Sequence, residues 1–465
     1  MDVARFRRFG ALVLACLVAG CSAQAVAPRP SATPVSIPSA TETPRPTNAS
    51  NDVLYVRSNG GAYATILAID ARTGQTLRTM NDGAVSADGG TVYWPESVGG
   101  GTKTAIHVTD LASGKELRSF TVDGDLRPAG NPETFNPVAG DGRLTNDGRH
   151  LALMNIPYKL DGDWLTKLAV VNTETGAIES AAEFRGQRTY GFVTFAPDGR
   201  SLFLEQRGDG ATRMRVFDVA TGTLLDPSGQ GLTTTGFRTA AVLSPDRRWM
   251  FRLDAGSQTT NCTSTDGPAC TPNSSPPYVV ALDLTTRRAT QLTLPAAQGS
   301  GEFEKYMLWS LTITPDGSTL YATNPALGVI DEVDARQMRL RRTAPITVAR
   351  SGDDVLTTIA RFFFPVADAK RYLIGGATLS PDGRTLYAAA HKGLSVIDTA
   401  SLASRAVWQQ AHQFDTLRLS SDGRRLYAMD NMAGKLVMID TTTGASLGEV
   451  RLQYVPAILR IDSSR

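Results

Sequence analysis

From residue 53 onward the chain alternates short apolar runs with polar, glycine-bearing turns, a spacing that predicts strands and hairpins rather than helices. One unit recurs. It reads as an apolar strand, Ser/Thr-x-Asp-Gly, an apolar strand containing Leu-Tyr, a gap, then Val-x-x-Ile-Asp-x-x-Thr-Gly and a last strand. The clearest copies are TLSPDGRTLYAAA with LSVIDTASL, and RLSSDGRRLYAMD with LVMIDTTTG. TFAPDGRSLFLEQ with MRVFDVATG, and TITPDGSTLYATN with VIDEVDARQ, follow the same plan. VSADGGTVYWPES, RLTNDGRHLALMN and VLSPDRRWMFRLD open three weaker copies, making seven full units.

An incomplete eighth unit, VLYVRS with ILAIDARTG, opens the array without a first strand. The C-terminal YVPAILRIDSSR aligns with FDTLRLSSDGRR and then stops. The last strand of the chain is therefore expected to complete the first unit. That closes a ring and removes two sheet edges open to promiscuous pairing.

These motifs resemble the YVTN and WD40-like β-propeller repeats of bacterial surface proteins. The resemblance spans residues 53–465. It implies an all-β, closed propeller of four-stranded blades, eight by the count above, or seven if the divergent stretch 242–294 packs irregularly. Relatives with this repeat include both binding modules and enzymes, so the fold leaves activity open.

The repeated polar residues have turn-forming jobs. In Asp198-Gly199, Asp316-Gly317, Asp382-Gly383 and Asp422-Gly423, Gly supplies a positive φ and Asp bonds its own backbone. Asp70, Asp218, Asp398 and Asp440 are expected to cap the second set of turns in the same way. In an antiparallel blade these two sets of turns share one end. The long connections (121–142, 227–241, 256–277, 295–310 and 347–377) then gather at the other end, the expected ligand or partner face.

The N-terminus reads as an address. Arg5, Arg7 and Arg8 precede an apolar run from Phe9 to Ala19, too short to span a bilayer. Leu17-Val18-Ala19-Gly20-Cys21 resembles a bacterial lipobox, which implies lipidation of Cys21. Residues 22–52 hold six prolines (28, 30, 34, 38, 44, 46) and no apolar periodicity. They are expected to form a tether reaching at most roughly 95 Å. The predicted address is extracytoplasmic and membrane-anchored. Outside the cytoplasm, the remaining close pair Cys262 and Cys270 is expected to form a disulfide, worth roughly 2.5 kcal/mol in the chain-entropy model.

Charge removes one class of partner. The chain has 47 Lys and Arg against 45 Asp and Glu. Loss of residues 1–20, with three Arg and Asp2, leaves the two signs equal, so nucleic acid is not an expected partner. No P-loop and no Cys-x-x-Cys-His haem attachment motif occur. AIDARTGQTLRTM and VTDLASGKELRSF resemble quinoprotein repeats, but Arg78 and Arg118 stand where those repeats carry a docking Trp. No cofactor is therefore expected.

Candidate chemistry concentrates on the long-loop face. Tyr190, Phe237, Tyr306, Tyr372 and Phe414 precede the turn Asp by similar intervals, with Tyr454 as their C-terminal counterpart. Trp309 and Phe363 lie in the same loop zone, and Arg188 and Arg238 stand beside the aromatics. Rigid aromatics with polar tips suit partner capture, and equally suit packing of the strand tops. His391, His412 and Asp415 share one face of adjacent blades and form a metal or acid–base candidate. Gly444-Ala445-Ser446-Leu447-Gly448 matches a nucleophile elbow but falls in a turn and strand with too little chain after it. Asp161-Gly162-Asp163 and Asp123-Gly124-Asp125 read as turns. The expected function is a binding or scaffold module for an envelope protein or surface ligand. The alternative is a lactonase-like or other hydrolase with its site at the channel mouth.

Overall fold

The computed structural model describes residues 51–58, 64–129, 142–234, 238–255, 258–262, 270–274, 276–295, 308–346, 375–390, 392–452 and 457–463, with backbone alone at 238, 239, 258–262, 270–274 and 457. Its strands form eight antiparallel blades around a central channel. Blade 1 runs outward from Ala457–Asp462 through Val53–Ser58 and Thr65–Asp70 to Thr76–Asn81. Blade 2 is Ala84–Val85, Thr91–Val98, Lys103–Asp110 and Glu116–Asp123. Blade 3 is Arg127–Pro128, His150–Met154, Asp163–Asn172 and Ile178–Gly186. Blade 4 is Thr189–Phe195, Ser201–Gly208, Ala211–Asp218 and Thr223–Leu225. Blade 5 is Arg238–Leu243, Trp249–Asp254, Tyr278–Asp283 and Arg288–Thr293, so the divergent stretch packs as a regular blade.

Blade 6 comprises Ser310–Ile313, Thr319–Asn324, Val329–Asp334 and Arg339–Pro345. Blade 7 comprises Ala377–Leu379, Thr385–Ala389, Leu394–Asp398 and Ser404–Trp408, and blade 8 Thr416–Leu419, Arg425–Asp430, Lys435–Asp440 and Ser446–Arg451. The expected ring closure is present: Val53–Arg57 pairs with Ala457–Asp462. Its register differs from the sequence alignment. Arg460 lies opposite Tyr55 as Arg418 lies opposite Tyr427, so Asp462 takes the place of Ser420 rather than of the turn residue Asp422. A bulge between Tyr55 and Val56 absorbs one residue of this two-residue shift.

The core is a set of slabs between blades. Alternate residues of one strand serve two slabs. Leu426, Ala428, Val437 and Ile439 face blade 7, while Tyr427, Met429, Leu436 and Met438 face blade 1. Burial of both sheet faces explains why the middle strands read as nearly unbroken apolar runs. Among the described residues the one helical element is a three-residue 3-10 turn, Gly99–Gly101.

The turns use more of the repeat than Asp-Gly. The Ser380 hydroxyl donates to Asp382 (2.6 Å) and accepts from Thr385 N–H (2.9 Å), while Asp382 accepts from Arg384 N–H (3.1 Å). The same relay recurs at Thr314/Asp316 and Ser420/Asp422. The Thr314 hydroxyl and then the Ser318 N–H and hydroxyl hold the Asp316 carboxyl down at about 2. At the second set of turns Asp70 accepts from the N–H groups of Arg72 (2.9 Å) and Thr73 (2.8 Å). These aspartates are turn caps, as their spacing predicts.

The glycines of this second set have a further job. A Cβ on Gly444 would stand 2.5 Å from the Trp408 ring of the preceding blade; on Gly176 it would meet Phe120 at 2.9 Å, and on Gly74 Val450 at 2.5 Å. The outermost strand of each of these blades packs directly on the next blade's turn. Arg78 and Arg118 act at the same junctions, donating to the carbonyls of Ala112 (2.6 Å) and Thr173.

Candidate binding face

Strand direction sets the two ends. The inner strands of blades 2 to 8 leave the long-connection end and finish at the Asp-Gly turns, or at Asp246-Arg247 in blade 5. Chain entry at Asp52 precedes the outward-running Val53–Ser58 and therefore lies at the tight-turn end. Asp52, read from sequence as the last tether residue, is instead buried in the body. Its carboxylate accepts from Arg425 Nε (3.0 Å), Arg425 Nη2 (3.2 Å) and the Tyr427 hydroxyl, and its carbonyl accepts from Ala71 N–H (2.9 Å).

On the long-connection end, Tyr190 and Arg188 occupy the top of blade 4. The Tyr190 ring packs on Phe184 with centroids 4.4 Å apart, and its hydroxyl accepts from Gln206 Nε2 at 2.6 Å. Arg188 pairs with Asp209 at 2.8 Å and reaches Gln206 Oε1 at 3.3 Å. Both are half-exposed or nearly so, with polar tips already engaged. Trp309 and Phe414 differ: each is fully buried, Trp309 between blades 5 and 6 and Phe414 between blades 7 and 8. The expectation that they face a partner is corrected; their side chains are core. Arg238 begins the inner strand of blade 5, described as backbone alone. Phe237, Tyr306, Phe363, Tyr372, Tyr454, His391 and Cys21 lie outside the described residues.

His412 and Asp415 sit side by side but do different things. His412 Nδ1 lies 3.2 Å from Asp430 Oδ2, and Nε2 lies 3.3 Å from Glu449 Oε1; the ring stacks on Phe414. Lys435 Nζ holds the other Glu449 oxygen at 2.7 Å. With a carboxylate at each ring nitrogen, His412 fastens the connection between blades 7 and 8 to two strands of blade 8. Asp415 instead accepts two hydrogen bonds from Asn431 Nδ2, at 2.8 and 2.9 Å. Burial pushes its carboxyl up to about 7, outweighing the Asn431 and Thr416 hydrogen bonds that lower it. Gly393 N–H donates to the His412 carbonyl at 2.7 Å. Among the described residues no group of three metal-ligating side chains converges.

Sequence reasoning missed the most exposed apolar feature of this end among the described residues. After Met154 the second strand of blade 3 breaks at Asn155–Pro157, then resumes as Tyr158–Leu160, pairing with Asp163–Leu165. Asp161 (φ 50) and Gly162 (φ 90) make its two-residue turn, as their sequence predicts. Ile156 is 59% exposed, Tyr158 46% and Leu160 40%. Lys159 lies over the Trp164 ring at 5.4 Å. Met432, 51% exposed, marks the same end of blade 8. The signal was available in Tyr-x-Leu-Asp-Gly-x-Trp-Leu, a hairpin whose Tyr158 and Leu160 stay exposed while Leu165 is buried.

On blade 5 the ladder Gln258–Cys262 with Cys270–Ser274 sets Cys262 directly opposite Cys270. The sulfur atoms lie outside the described residues.

No family model matches the chain, and no curated protein matches its sequence. Solved structures of similar architecture include a dihydro-heme d1 dehydrogenase, NirN, in complex with DHE (13% identity, 89% of this chain and 76% of that chain, TM-score 0.49). AztD from Citrobacter koseri is another (11% identity, 89% and 97%, TM-score 0.45). The periplasmic gluconolactonase PpgL of Pseudomonas aeruginosa is a third (17% identity, 79% and 98%, TM-score 0.39). At this distance the likeness concerns architecture alone, and the assignment of this chain as an eight-bladed propeller rests on its own strand pairing.

Proposed function

We propose that the protein is an extracytoplasmic propeller, carried on a lipid-anchored tether, whose long-connection end binds an envelope protein or surface ligand. One observation carries this reading. The exposed apolar hairpin of Ile156, Tyr158 and Leu160 stands at the end of the ring opposite Asp52, where the tether enters. A tether fastened to one end leaves the other accessible. Exposed aromatic and aliphatic side chains on that end supply desolvation on contact, the main driving force of protein association. The lipobox resemblance at Cys21 supports the anchor, and the equal charge of the mature chain favours a neutral or mixed partner surface over a polyanion.

The test is crosslinking on intact cells that express the tagged full-length chain, followed by mass spectrometry. Crosslinks from residues 156–165 to one envelope protein, lost when Ile156, Tyr158 and Leu160 are all replaced by Ser, are the expected result. Crosslinks that survive the triple replacement would overturn the assignment of this end. In parallel, Cys21→Ser should move the protein from the membrane fraction to the soluble one.

A further inference from the structure

The tight-turn end of the channel holds a recess of about 580 Å³. Blades 5, 6 and 7 build most of it from one repeated step. Val242, Thr312 and Thr378 hold the same place on the three inner strands, each opposite an aromatic residue of the second strand (Phe251, Tyr321 and Tyr387). Pro245, Pro315 and Pro381 follow in the turns. Arg247 also lines the recess but is already engaged, its Nη1 donating to Asn146 Oδ1 at 2.7 Å. It supplies wall, not a clamp.

The repeat explains why the recess is here. At the same place blades 3, 8 and 1 carry Arg143, Arg418 and Arg460. Each arginine crosses to a backbone carbonyl of an adjoining segment: Arg418 to Ile458 (3.1 Å), Arg460 to Gly89 (3.0 Å) and Arg143 to Gly83 (2.8 Å). Ala84 of blade 2 is short, but Arg57 also reaches the Gly83 carbonyl beside it, at 3.1 Å. The Thr194 hydroxyl of blade 4 donates to the Phe195 carbonyl at 3.2 Å. Val242, Thr312 and Thr378 are too short for such a crossing, so the mouth stays open along blades 5 to 7. Among the described residues no protein group bonds the Thr312 or Thr378 hydroxyl, and both residues lie in the recess wall.

We propose that this recess binds a small neutral aromatic alcohol, its ring seated on the prolines and its hydroxyl bonded to Thr312 and Thr378. The volume lies within the range of small-molecule pockets. The C–H faces of proline rings meet the negative face of an aromatic ring favourably. A ligand hydroxyl both donates and accepts, which matches two threonine hydroxyls on adjoining blades. Neutrality follows from the wall: with Arg247 held by Asn146, a charge buried here would gain no partner to offset its desolvation. The site is at the opposite end of the ring from the exposed hairpin and stands independently of the partner-binding reading.

Calorimetric titration of the full-length protein with para-cresol tests this. Para-cresol is expected to bind, and toluene, which lacks the hydroxyl, about tenfold more weakly. Thr378→Arg installs the residue that blade 8 carries at this place. It is expected to keep the thermal midpoint, fill the recess and lose para-cresol binding. The double variant Thr312→Val/Thr378→Val keeps the shape of the wall without its hydroxyls, and it should bind para-cresol about tenfold more weakly while holding toluene as wild type does. Wild-type affinity for para-cresol in a folded Thr378→Arg or in the double valine variant would overturn the proposal. So would tighter binding of para-hydroxybenzoate than of para-cresol, or no binding of para-cresol and benzyl alcohol alike at millimolar concentration.

Discussion

Asp52 and Arg425, 373 residues apart, form a two-pronged ion pair at 3.0 and 3.2 Å that fastens blade 1 to blade 8. Asp52 is 1% exposed and also receives the Tyr427 hydroxyl. The pair lies at the seam where both ends of the folded chain are held, next to the ladder of Val53–Arg57 with Ala457–Asp462. Asp52→Ala would remove the acceptor that the Arg425 guanidinium and the buried Tyr427 hydroxyl share. It is expected to cost about 3 kcal/mol, read from urea denaturation, and Arg425→Met at least as much, because it takes away the cation that faces the buried Asp52 carboxylate. Equal stability of Asp52→Ala and wild type would show that strand pairing alone holds the seam.

The turn glycines should be separable into two kinds. A Cβ on Gly148 (φ 69) would have nothing within 4 Å, so Gly148→Ala meets only the left-handed backbone penalty, about 1 kcal/mol. Gly444 (φ 74) adds a collision with Trp408, and Gly444→Ala should cost about 2–4 kcal/mol. Trp408→Ala in the Gly444→Ala background should recover part of the difference. Comparable thermal midpoints for the two single variants would refute the packing role.

Acid and base sides of the stability profile have different owners. Burial pushes the Asp331 carboxyl up to about 6 against the Thr343 hydroxyl bond that lowers it, and Asp415 up to about 7. Each keeps in the native state a proton that the unfolded chain releases near 3.8. Their contribution is present below about pH 4 and is lost as pH rises through 6 and 7. Asp331 is fully buried, and Asp331→Asn should flatten the profile between pH 4 and 6 by about 3 kcal/mol. Asp316, held at about 2, acts in the opposite sense: its contribution holds above pH 4 and is lost as pH falls toward 2. An unchanged pH profile in Asp331→Asn would assign the slope elsewhere.

The Cys262–Cys270 register predicts a disulfide under oxidising conditions. Residues directly opposite in an antiparallel ladder have Cα atoms about 4.5–5.5 Å apart, within reach of an S–S bond. Thiol titration of protein folded under oxidising conditions and then denatured should find neither cysteine free. A reductant should lower the thermal midpoint of wild type and leave Cys262→Ser/Cys270→Ser unmoved. Two titratable thiols would show that the hairpin closes without the bond.

The repeat makes the architecture legible from the chain alone. Asp-Gly turns, Leu-Tyr strands and an orphan C-terminal strand are local signals, and a ring is the arrangement that buries both faces of every such sheet. Blade count, turn chemistry, the scarcity of helix and the closure by the last strand are all readable from that pattern. Side-chain direction is not. Trp309 and Phe414 occupy loop positions in sequence, yet neighbouring blades bury them; Asp52 reads as tether, yet Arg425 and Tyr427 draw it into the seam. The exposure of Ile156, Tyr158 and Leu160 depends on blade 3 rising beyond neighbours that end sooner. The meeting of Arg247 with Asn146 depends on the curvature of the ring, which brings turns far apart in sequence to one rim. Periodicity specifies what each strand must bury; only the packed ring decides which neighbour buries it and which side chains are left for something else to touch.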